Sequence, residues 1–337
     1  MAEGVQGTNS FAPAWWVPGA HAQTLWGKFA RQTSLPPGRL ERWETSDDDF
    51  LDLYRVPSTS TAPRLLVLHG LEGTTRSHYA RGILSRAAQI GWGADLLIFR
   101  GCGHELNRQP RFYHSGETSD LAFVAHRIAA EFPAAPLFAV GYSLGGNVLL
   151  KWLGEPGAAH PSTLRAAAAV SVPFDLEAGA RFIQRGFSKV YEQHFLRTLK
   201  QKAAAKLDRF PGIFDRAALA AVDTIVAFDD AVTAPLHGFA SAHDYYSRSS
   251  SLGFLSSIRL PTALVSAYDD PFLPPEVLRA TERAARDNPV FAVNFSASGG
   301  HVGFVAGPNP GRPTYYSEDR VIEFFTANLP GPALRPR

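Results

Sequence analysis

The sequence predicts an α/β protein built on a mostly parallel, doubly wound sheet. Short apolar runs, such as 65–68 and 137–140, alternate with stretches of helical spacing, such as 119–131. This order is typical of parallel sheets covered by helices on both faces. One long stretch, 173–257, interrupts the alternation with helical patterns and no strand pattern. Because structureless loops of that length are uncommon, we expect a folded helical insertion there.

Each predicted element follows from its own pattern of residues. Strands are expected where apolar or alternating runs occur, and helices where apolar residues recur every three to four positions. The first two strands flank the acidic turn 46–49 and should form an antiparallel edge. The strands are predicted at 41–44, 50–56, 64–68, 94–99, 137–140, 165–172, 261–266 and 290–295, and the helices at 75–90, 119–131, 146–153, 187–206, 215–223, 240–248, 275–286 and 318–328.

These elements suggest three parts. Residues 1–37 are irregular and rich in Pro and aromatic residues, and we expect an arm packed on the body. The adjacent Trp15 and Trp16 could instead touch a membrane surface, but large apolar side chains near a terminus more often tie it down. Residues 38–172 and 258–337 form the α/β core. Residues 173–257 form a helical cap over the crevice at the carboxyl ends of the strands, where such sheets bind ligands.

Composition excludes several classes of partner. The 33 Lys and Arg residues nearly balance the 31 Asp and Glu residues, and no basic block points to nucleic acid. No run of 18 apolar residues predicts a membrane span, and no basic region followed by an apolar core marks a secretory signal. The single cysteine excludes an internal disulfide and suits a reducing compartment. We therefore predict a cytoplasmic protein, and leave its oligomeric state open.

The chemistry is indicated by the stretch 141–146, Gly-Tyr-Ser-Leu-Gly-Gly. It follows a predicted strand and opens a predicted helix, which is the setting of a nucleophile elbow. Small flanking residues permit the strained turn that displays Ser143 above the sheet. The N-terminus of the following helix lies beside it, so the Leu144 N–H is a candidate oxyanion donor. An incidental serine in a Gly-rich turn is the alternative.

A serine nucleophile needs a base, and the base needs an orienting acid. Asp269 and Asp270 follow the strand 261–266, and Asp270 is preferred because Pro271 biases it toward extended backbone. Asp269 is more consistent with a solvated or loop-bracing carboxylate. His301 follows the last strand between glycines, which lets its ring enter the crevice, and we predict it as the general base.

The second oxyanion donor should come from the loop 69–73, His-Gly-Leu-Glu-Gly. By position we choose the N–H of Leu71, with Gly70 leaving room for the acyl oxygen. His69 and Gly70 are placed at the substrate site, although a buried His69 bonded to the backbone is the preferred interpretation of that residue. No dinucleotide fingerprint, phosphate loop, zinc-helix spacing or Cys/His cluster occurs, so no cofactor and no metal is implied.

With these loops placed, the chain resembles the α/β-hydrolase superfamily and, more narrowly, the YheT-like esterases, bacterial relatives of eukaryotic lipid-cleaving hydrolases. The similarity runs from roughly residue 12 to 328. It rests on the segments 69–73, 99–102, 113–117, 141–147, 172–174, 186–191, 228–230, 237–239, 245–246, 269–272 and 299–304. The resemblance implies an α/β-hydrolase fold, hydrolysis of short- to medium-chain carboxylic esters, and a catalytic triad at Ser143, Asp270 and His301.

The function predicted from these observations is that of a serine carboxylesterase acting on a small-molecule ester. Acyl transfer to an alcohol on the same acyl-enzyme is one alternative, and a non-catalytic binding protein with this fold is another. Four aromatic residues of the predicted cap are candidates to line the acyl pocket: Phe187, Tyr191, Phe228 and Phe239. We interpret three further polar residues as a structural hydrogen-bond network: Arg100, His114 and Glu117. Within it, Glu117 is expected to brace the acid loop or to cap a helix.

Overall fold

The computed structural model describes residues 11–330. The parts of the predicted arm and core that fall in 1–10 and 331–337 lie outside the described residues. Its centre is an eight-stranded sheet, and a two-stranded hairpin lies beside it. The strands of the large sheet are β1 (Arg39–Glu44), β2 (Phe50–Val56), β3 (Arg64–Leu68), β4 (Gly93–Ile98), β5 (Leu137–Tyr142), β6 (Leu164–Val170), β7 (Thr262–Ala267) and β8 (Phe291–Ser296), and the hairpin pairs β9 (Val305–Ala306) with β10 (Thr314–Tyr315).

From β3 to β8 the strands are separated by helices, and several helices follow one another between β6 and β7. The helices are α1 (Gly19–Phe29), α2 (His78–Gln89), α3 (Ser119–Glu131), α4 (Leu144–Gly154), α5 (Leu176–Phe182), α6 (Ser188–Arg209), α7 (Arg216–Ala221), α8 (Ile225–Phe228), α9 (Ala234–His237), α10 (Ala242–Ser249), α11 (Pro275–Arg286) and α12 (Tyr316–Ala327). A π-helical turn (Asp229–Thr233) joins α8 to α9, and a 3-10 helix (Ser251–Ser257) follows α10.

The sheet has the order β1-β2-β4-β3-β5-β6-β7-β8. The strand β2 pairs antiparallel with both β1 and β4, whereas every pairing from β4 to β8 is parallel. The predicted mostly parallel sheet with an antiparallel edge is therefore confirmed. The carboxyl ends of the parallel strands meet at one edge, which is where such sheets place their ligands.

Two apolar layers cover the sheet. Side chains alternate between the faces of a strand, so Leu65 and Val67 of β3 pack with α2 and α12, while Leu66 and Leu68 pack with α3, α4 and α11. Both faces are buried, as expected for parallel strands that read as continuous apolar runs. This double covering confirms the predicted doubly wound architecture.

Within the described residues, four helical stretches are absent from the sequence prediction: α1, α5, the stretch 225–237 and the 3-10 helix. The N-terminal residues predicted as irregular contain α1, which begins after Pro18 with no side-chain N-cap bond and carries glycines that weaken its helical pattern. The stretch 225–237 was not predicted as helical, because Asp229, Asp230 and Pro235 interrupt its periodicity. It forms a continuous helical run of α8, the π-helical turn and α9.

Residues 173–257, called here the helical segment, lie between β6 and β7 and contain helices but no strand. Among residues 11–330, no helix combines the length and the apolar character needed to cross a bilayer. The cytoplasmic location stays a prediction.

Candidate active site

Ser143 occupies a strained turn between β5 and α4. Its backbone has φ 52° and ψ −121°, a region that side-chain-bearing residues rarely adopt. The turn needs close backbone approach, because a Cβ on Gly145 would lie 2.5 Å from the His69 carbonyl oxygen and one on Gly141 would lie 2.4 Å from the Gly145 oxygen. The Ser143 N–H donates to the Val170 carbonyl at 2.8 Å, which ties the turn to β6.

Three side chains from separate loops form a hydrogen-bonded chain at this turn. The Nε2 atom of His301 lies 2.9 Å from the Ser143 Oγ, and its Nδ1 atom lies 2.8 Å from an Asp270 carboxylate oxygen. An ionised carboxylate only accepts, so Nδ1 carries the proton and Nε2 is free to accept from the serine hydroxyl. The arrangement can therefore move a proton from Ser143 to His301.

The two neighbouring aspartates have different partners. Asp270 is buried, and its second oxygen accepts the Phe272 N–H at 2.8 Å. Asp269 accepts the Gly300 N–H at 2.9 Å, so it braces the histidine loop, and burial raises the pKa of its carboxyl. The Phe272 ring stacks on the His301 ring at 4.1 Å and limits its rotation.

The loop after β3 leaves one backbone donor unused beside Ser143. The Gly70 N–H donates to the Tyr79 hydroxyl at 2.8 Å, and the Glu72 N–H donates to the Tyr113 hydroxyl at 2.8 Å. Within the described residues, the N–H groups of Leu71 and Leu144 have no hydrogen-bond acceptor, and both residues border the same cavity as Ser143. Two such free donors can hold an oxyanion.

A charged contact from the helical segment holds this loop. Glu72 has a φ of 57°, and its carboxylate pairs with Lys202 of α6 at 2.8 Å. The Lys202 ammonium also lies 3.7 Å from the sulfur of Cys102, and burial raises the pKa of that thiol to about 12. Lys202 therefore connects α6 to Glu72, the neighbour of Leu71, whose N–H is the free donor.

The helix α1 positions the histidine loop, which the sequence reasoning did not anticipate. Thr24 Oγ1 accepts the His301 N–H at 2.9 Å, and the Gln23 side chain bonds the N–H and the carbonyl of Val305. A Cβ on Gly300 would lie 2.5 Å from the Ala20 oxygen, and one on Gly303 would lie 2.4 Å from the Gln23 oxygen. The glycines around His301 were the available signal, because they permit this close helix packing.

Comparison with known proteins agrees with this geometry. A family model described as the alpha/beta hydrolase fold matches residues 63–308. YheT of Escherichia coli (strain K12), which carries a provisional esterase designation, is 40% identical over 325 residues, covering 95% of this chain and 94% of that protein. The chain belongs to the α/β-hydrolase fold family.

Two further proteins are similar to this α/β hydrolase. Phospholipase ABHD3 of Mus musculus is 32% identical, with 94% of this chain and 78% of that protein covered. The solved structure of the Pyrococcus furiosus esterase Pf2001 matches with a TM-score of 0.56 at 16% identity, covering 86% of this chain and 92% of that one, and it supports the fold alone. The chain is thus a hydrolase of the esterase and lipase group.

The cavity of this α/β hydrolase has a volume of about 1070 Å³. Ser143 and His301 border it, together with loop residues such as Gly70 and Leu71. A Cβ on Gly70 would lie 3.1 Å from the Ser143 Cβ, so the glycine keeps space open above the hydroxyl. The helical segment contributes much of the wall, including three of the aromatic residues predicted to line it: Phe187, Tyr191 and Phe228.

Two residues predicted at the substrate site lie elsewhere. His69 is fully buried and does not border the cavity, since Phe99 N–H donates to its Nε2 and its Nδ1 donates to the Gly70 carbonyl at 2.7 Å. Phe239 packs against Tyr245 and His114 behind the wall. The preferred interpretation of His69 as a buried residue bonded to the backbone is confirmed. The placement of His69 and Phe239 at the substrate site is corrected, because a motif position does not reveal which way a side chain faces.

The remaining polar residues hold the structure together. Arg100 is buried between the carboxylates of Asp49 and Asp120, each at 2.8 Å. Glu117 accepts the Ser119 N–H at 2.8 Å at the start of α3, so it caps that helix rather than bracing the acid loop. The interpretation of Arg100 and Glu117 as structural is therefore the better one.

Proposed function

We propose that the protein is a serine carboxylesterase in which Ser143 is the nucleophile, His301 the general base and Asp270 the orienting acid. The proposal rests on one observation, the chain of two hydrogen bonds that joins these side chains at a strained turn bordering a large cavity. Serine is a weak nucleophile at neutral pH unless an adjacent base takes its proton.

In the proposed reaction, the Ser143 Oγ attacks the ester carbonyl as His301 Nε2 accepts the hydroxyl proton. Asp270 stabilises the imidazolium through its bond to Nδ1. The N–H groups of Leu71 and Leu144 hold the oxyanion, and each such donor typically contributes roughly 3 kcal/mol to transition-state stabilisation. His301 then protonates the leaving alcohol, and water, activated by the same imidazole, hydrolyses the acyl-enzyme.

The helical segment is proposed to act as a cap that supplies the acyl pocket. Its α6 contributes Tyr191, and Phe187 directly precedes that helix. Ser188 at the start of α6 donates to the Pro271 carbonyl of the acid loop at 2.7 Å. An apolar wall next to the nucleophile favours esters of apolar acids. We propose short- to medium-chain acyl groups as substrates, and a panel of p-nitrophenyl esters should show activity that peaks there and falls for long chains.

The decisive test of the enzyme function uses a fluorophosphonate probe, which reacts only with an activated serine. Native protein should be labelled, and Ser143→Ala should abolish labelling and lower ester hydrolysis by about 10³-fold or more. The matched control is Ser85→Ala in α2, which removes a serine hydroxyl that does not border the cavity and donates to the Ser34 carbonyl at 2.9 Å. Native protein without label, or labelling that survives Ser143→Ala, would favour the binding-protein alternative.

A further inference from the structure

One wall of the cavity is polar, although the site described above does not use it. Asp229, Thr233 and His237 follow one another at intervals of four along the run of α8, the π-helical turn and α9. Residues spaced by four lie on the same side of a helix, and all three border the cavity that contains Ser143. The π-helical turn is closed by the Ala234 N–H donating to the Asp229 carbonyl. Such turns are frequent at functional sites.

The partners of the Asp229 carboxylate differ in kind from those of the buried carboxylate of Asp95. It accepts two hydroxyl groups, from Thr233 at 2.7 Å and from Tyr246 at 2.6 Å. Within residues 11–330 it has no cationic partner and no backbone N–H, whereas Asp95 is held by two arginines, Arg55 and Arg64. Burial raises the pKa of Asp229 to about 6. Since a carboxylate offers about four acceptor sites, two remain for a ligand.

His237 supplies a second unused group on the same wall. Its Nε2 atom is buried and has no hydrogen-bond partner among the described residues. Its ring lies 4.4 Å from the ring of His114, and burial lowers the pKa of His237 to about 4, so the ring is neutral near pH 7. A buried polar atom left without a partner is costly. Asp229 and His237 thus offer unused hydrogen-bonding capacity to whatever fills the cavity.

We propose that Asp229, Thr233 and His237 form a hydroxyl-binding subsite, so that the ester substrate carries a hydroxyl group besides its ester bond. This inference rests on the proposed esterase function and specifies its substrate class. A substrate hydroxyl can donate to the Asp229 carboxylate or exchange a hydrogen bond with the neutral imidazole of His237. An anionic substituent is disfavoured by the carboxylate, and a purely apolar one leaves the His237 Nε2 unpaired and the remaining acceptor sites of Asp229 unused.

The hydroxyl could belong to the alcohol part or to the acyl part of the ester, and paired substrates distinguish the two. Glyceryl monobutyrate is compared with n-propyl butyrate, and propyl 6-hydroxyhexanoate with propyl hexanoate. We expect kcat/KM to be about 10-fold or more higher for the hydroxylated member of one pair. A hydrogen bond to a charged group commonly contributes that much. No preference in either pair, or a greater preference for butyrylcholine, which has no hydroxyl, would overturn the proposal.

The subsite itself is tested with Asp229→Asn and His237→Phe. Each should lower the hydroxyl preference at least fivefold, and a ratio of two substrates is insensitive to partial unfolding. The matched control is Asp230→Asn, because Asp230 is exposed and the variant keeps the oxygen that accepts the Ala242 N–H at 2.9 Å. An unchanged ratio in both subsite variants would contradict the assignment.

A binding measurement separates the subsite from the esterase proposal. In the Ser143→Ala background, calorimetry should detect tighter binding of the hydroxylated ester, and Asp229→Asn should remove the difference. Preference in binding without any hydrolysis by native protein would mean that the subsite exists and the enzyme proposal fails. Hydrolysis by native protein, with no preference for the hydroxylated ester in either assay, would mean that the enzyme proposal holds and the subsite proposal fails.

Discussion

The two sides of the cavity are held in place by different kinds of contact. On the core side, the loops after the strands are fixed by close backbone packing in addition to side-chain hydrogen bonds, as where Gly300 and Gly303 lie against carbonyls of α1 and Thr24 accepts the His301 N–H. The helical segment instead reaches those loops through single side chains, such as Lys202 on Glu72 and Tyr245, whose hydroxyl accepts the Ser115 N–H. Backbone packing tolerates little displacement, whereas a side-chain contact can be exchanged. The difference suggests that the reacting groups are constrained more tightly than the substrate-facing wall.

The largest effect should come from the core side, at the acid. Asp270→Asn should lower kcat by about 10³- to 10⁴-fold, because an amide no longer holds His301 in the tautomer that accepts the serine proton. Asp269→Asn is the matched control, since its amide oxygen can still accept the Gly300 N–H. Steady-state kinetics on one p-nitrophenyl ester measures both. Equal losses in the two variants would mean that the acid has been assigned to the wrong carboxylate.

A smaller loss is expected at α1, on the same side. Thr24→Val keeps the side-chain shape but removes the oxygen that accepts the His301 N–H, so kcat should fall by about 10-fold, which corresponds to roughly 1.4 kcal/mol, the upper part of the range of a net hydrogen-bond contribution. Thr326→Val in α12 is the control, because its hydroxyl makes the same kind of bond to the carbonyl four residues earlier, as Thr24 also does with Ala20. A drop in KM alone, or equal effects in both variants, would show that α1 does not position the histidine.

On the helical-segment side, Lys202→Met should reduce kcat about three- to tenfold. The substitution removes the cation that holds Glu72, and the neighbouring Leu71 N–H should then be less well oriented. Lys200→Met on the same helix is the control, since among residues 11–330 Lys200 bonds only carbonyls of the helical segment, those of Ala220 and Val222. If Lys202→Met changed KM but left kcat intact, the contact would serve substrate binding. The core side would then act on the reaction itself and the helical segment on substrate binding alone.

The smallest effect concerns stability against acid. Burial lowers the pKa of His69 and His237 to about 4 and that of His78 and His114 to about 3. The unfolded chain, with histidine pKa values near 6.5, therefore binds more protons below that pH, so stability should fall as the pH drops from about 6.5 toward 4.

His237→Phe tests this prediction at the cavity wall. It should reduce the acid loss of unfolding free energy by about 1 kcal/mol, because one of these groups no longer titrates. Urea unfolding at pH 7 and pH 5 measures the change, with His243→Phe at an exposed histidine as the control. Identical pH dependence in native protein and in His237→Phe would contradict it.

The sequence is most informative where a backbone requirement leaves a residue signature. Ser143, Asp270 and His301 each follow a strand, and their flanking glycines or proline mark sharp turns, so their convergence at one edge was predictable. The sequence is less informative about direction. His69 sits within a recognisable loop yet faces the interior, where both ring nitrogens bond the backbone. A buried His69 was the preferred interpretation, but its partner Phe99, thirty residues away, is one that no local pattern reveals.

Elements stabilised by tertiary contacts also escaped prediction. The helix α1 lacks a capping side chain and owes its position to the histidine loop it packs on. The π-helical turn carries two adjacent aspartates, which break an amphipathic pattern, and Asp229 is held by Tyr246 from another helix. In both stretches, long-range contacts outweigh local propensity.

The environment of Cys102 has a practical consequence for labelling this protein with a fluorophore. Its thiol is buried and, with a pKa of about 12, stays protonated at neutral pH, whereas alkylating dyes react with thiolates. Since the chain has no other cysteine, a cysteine introduced at an exposed position of α6 would be the reactive one. A fluorophore attached there would report movements of the helical segment without first mutating the native thiol.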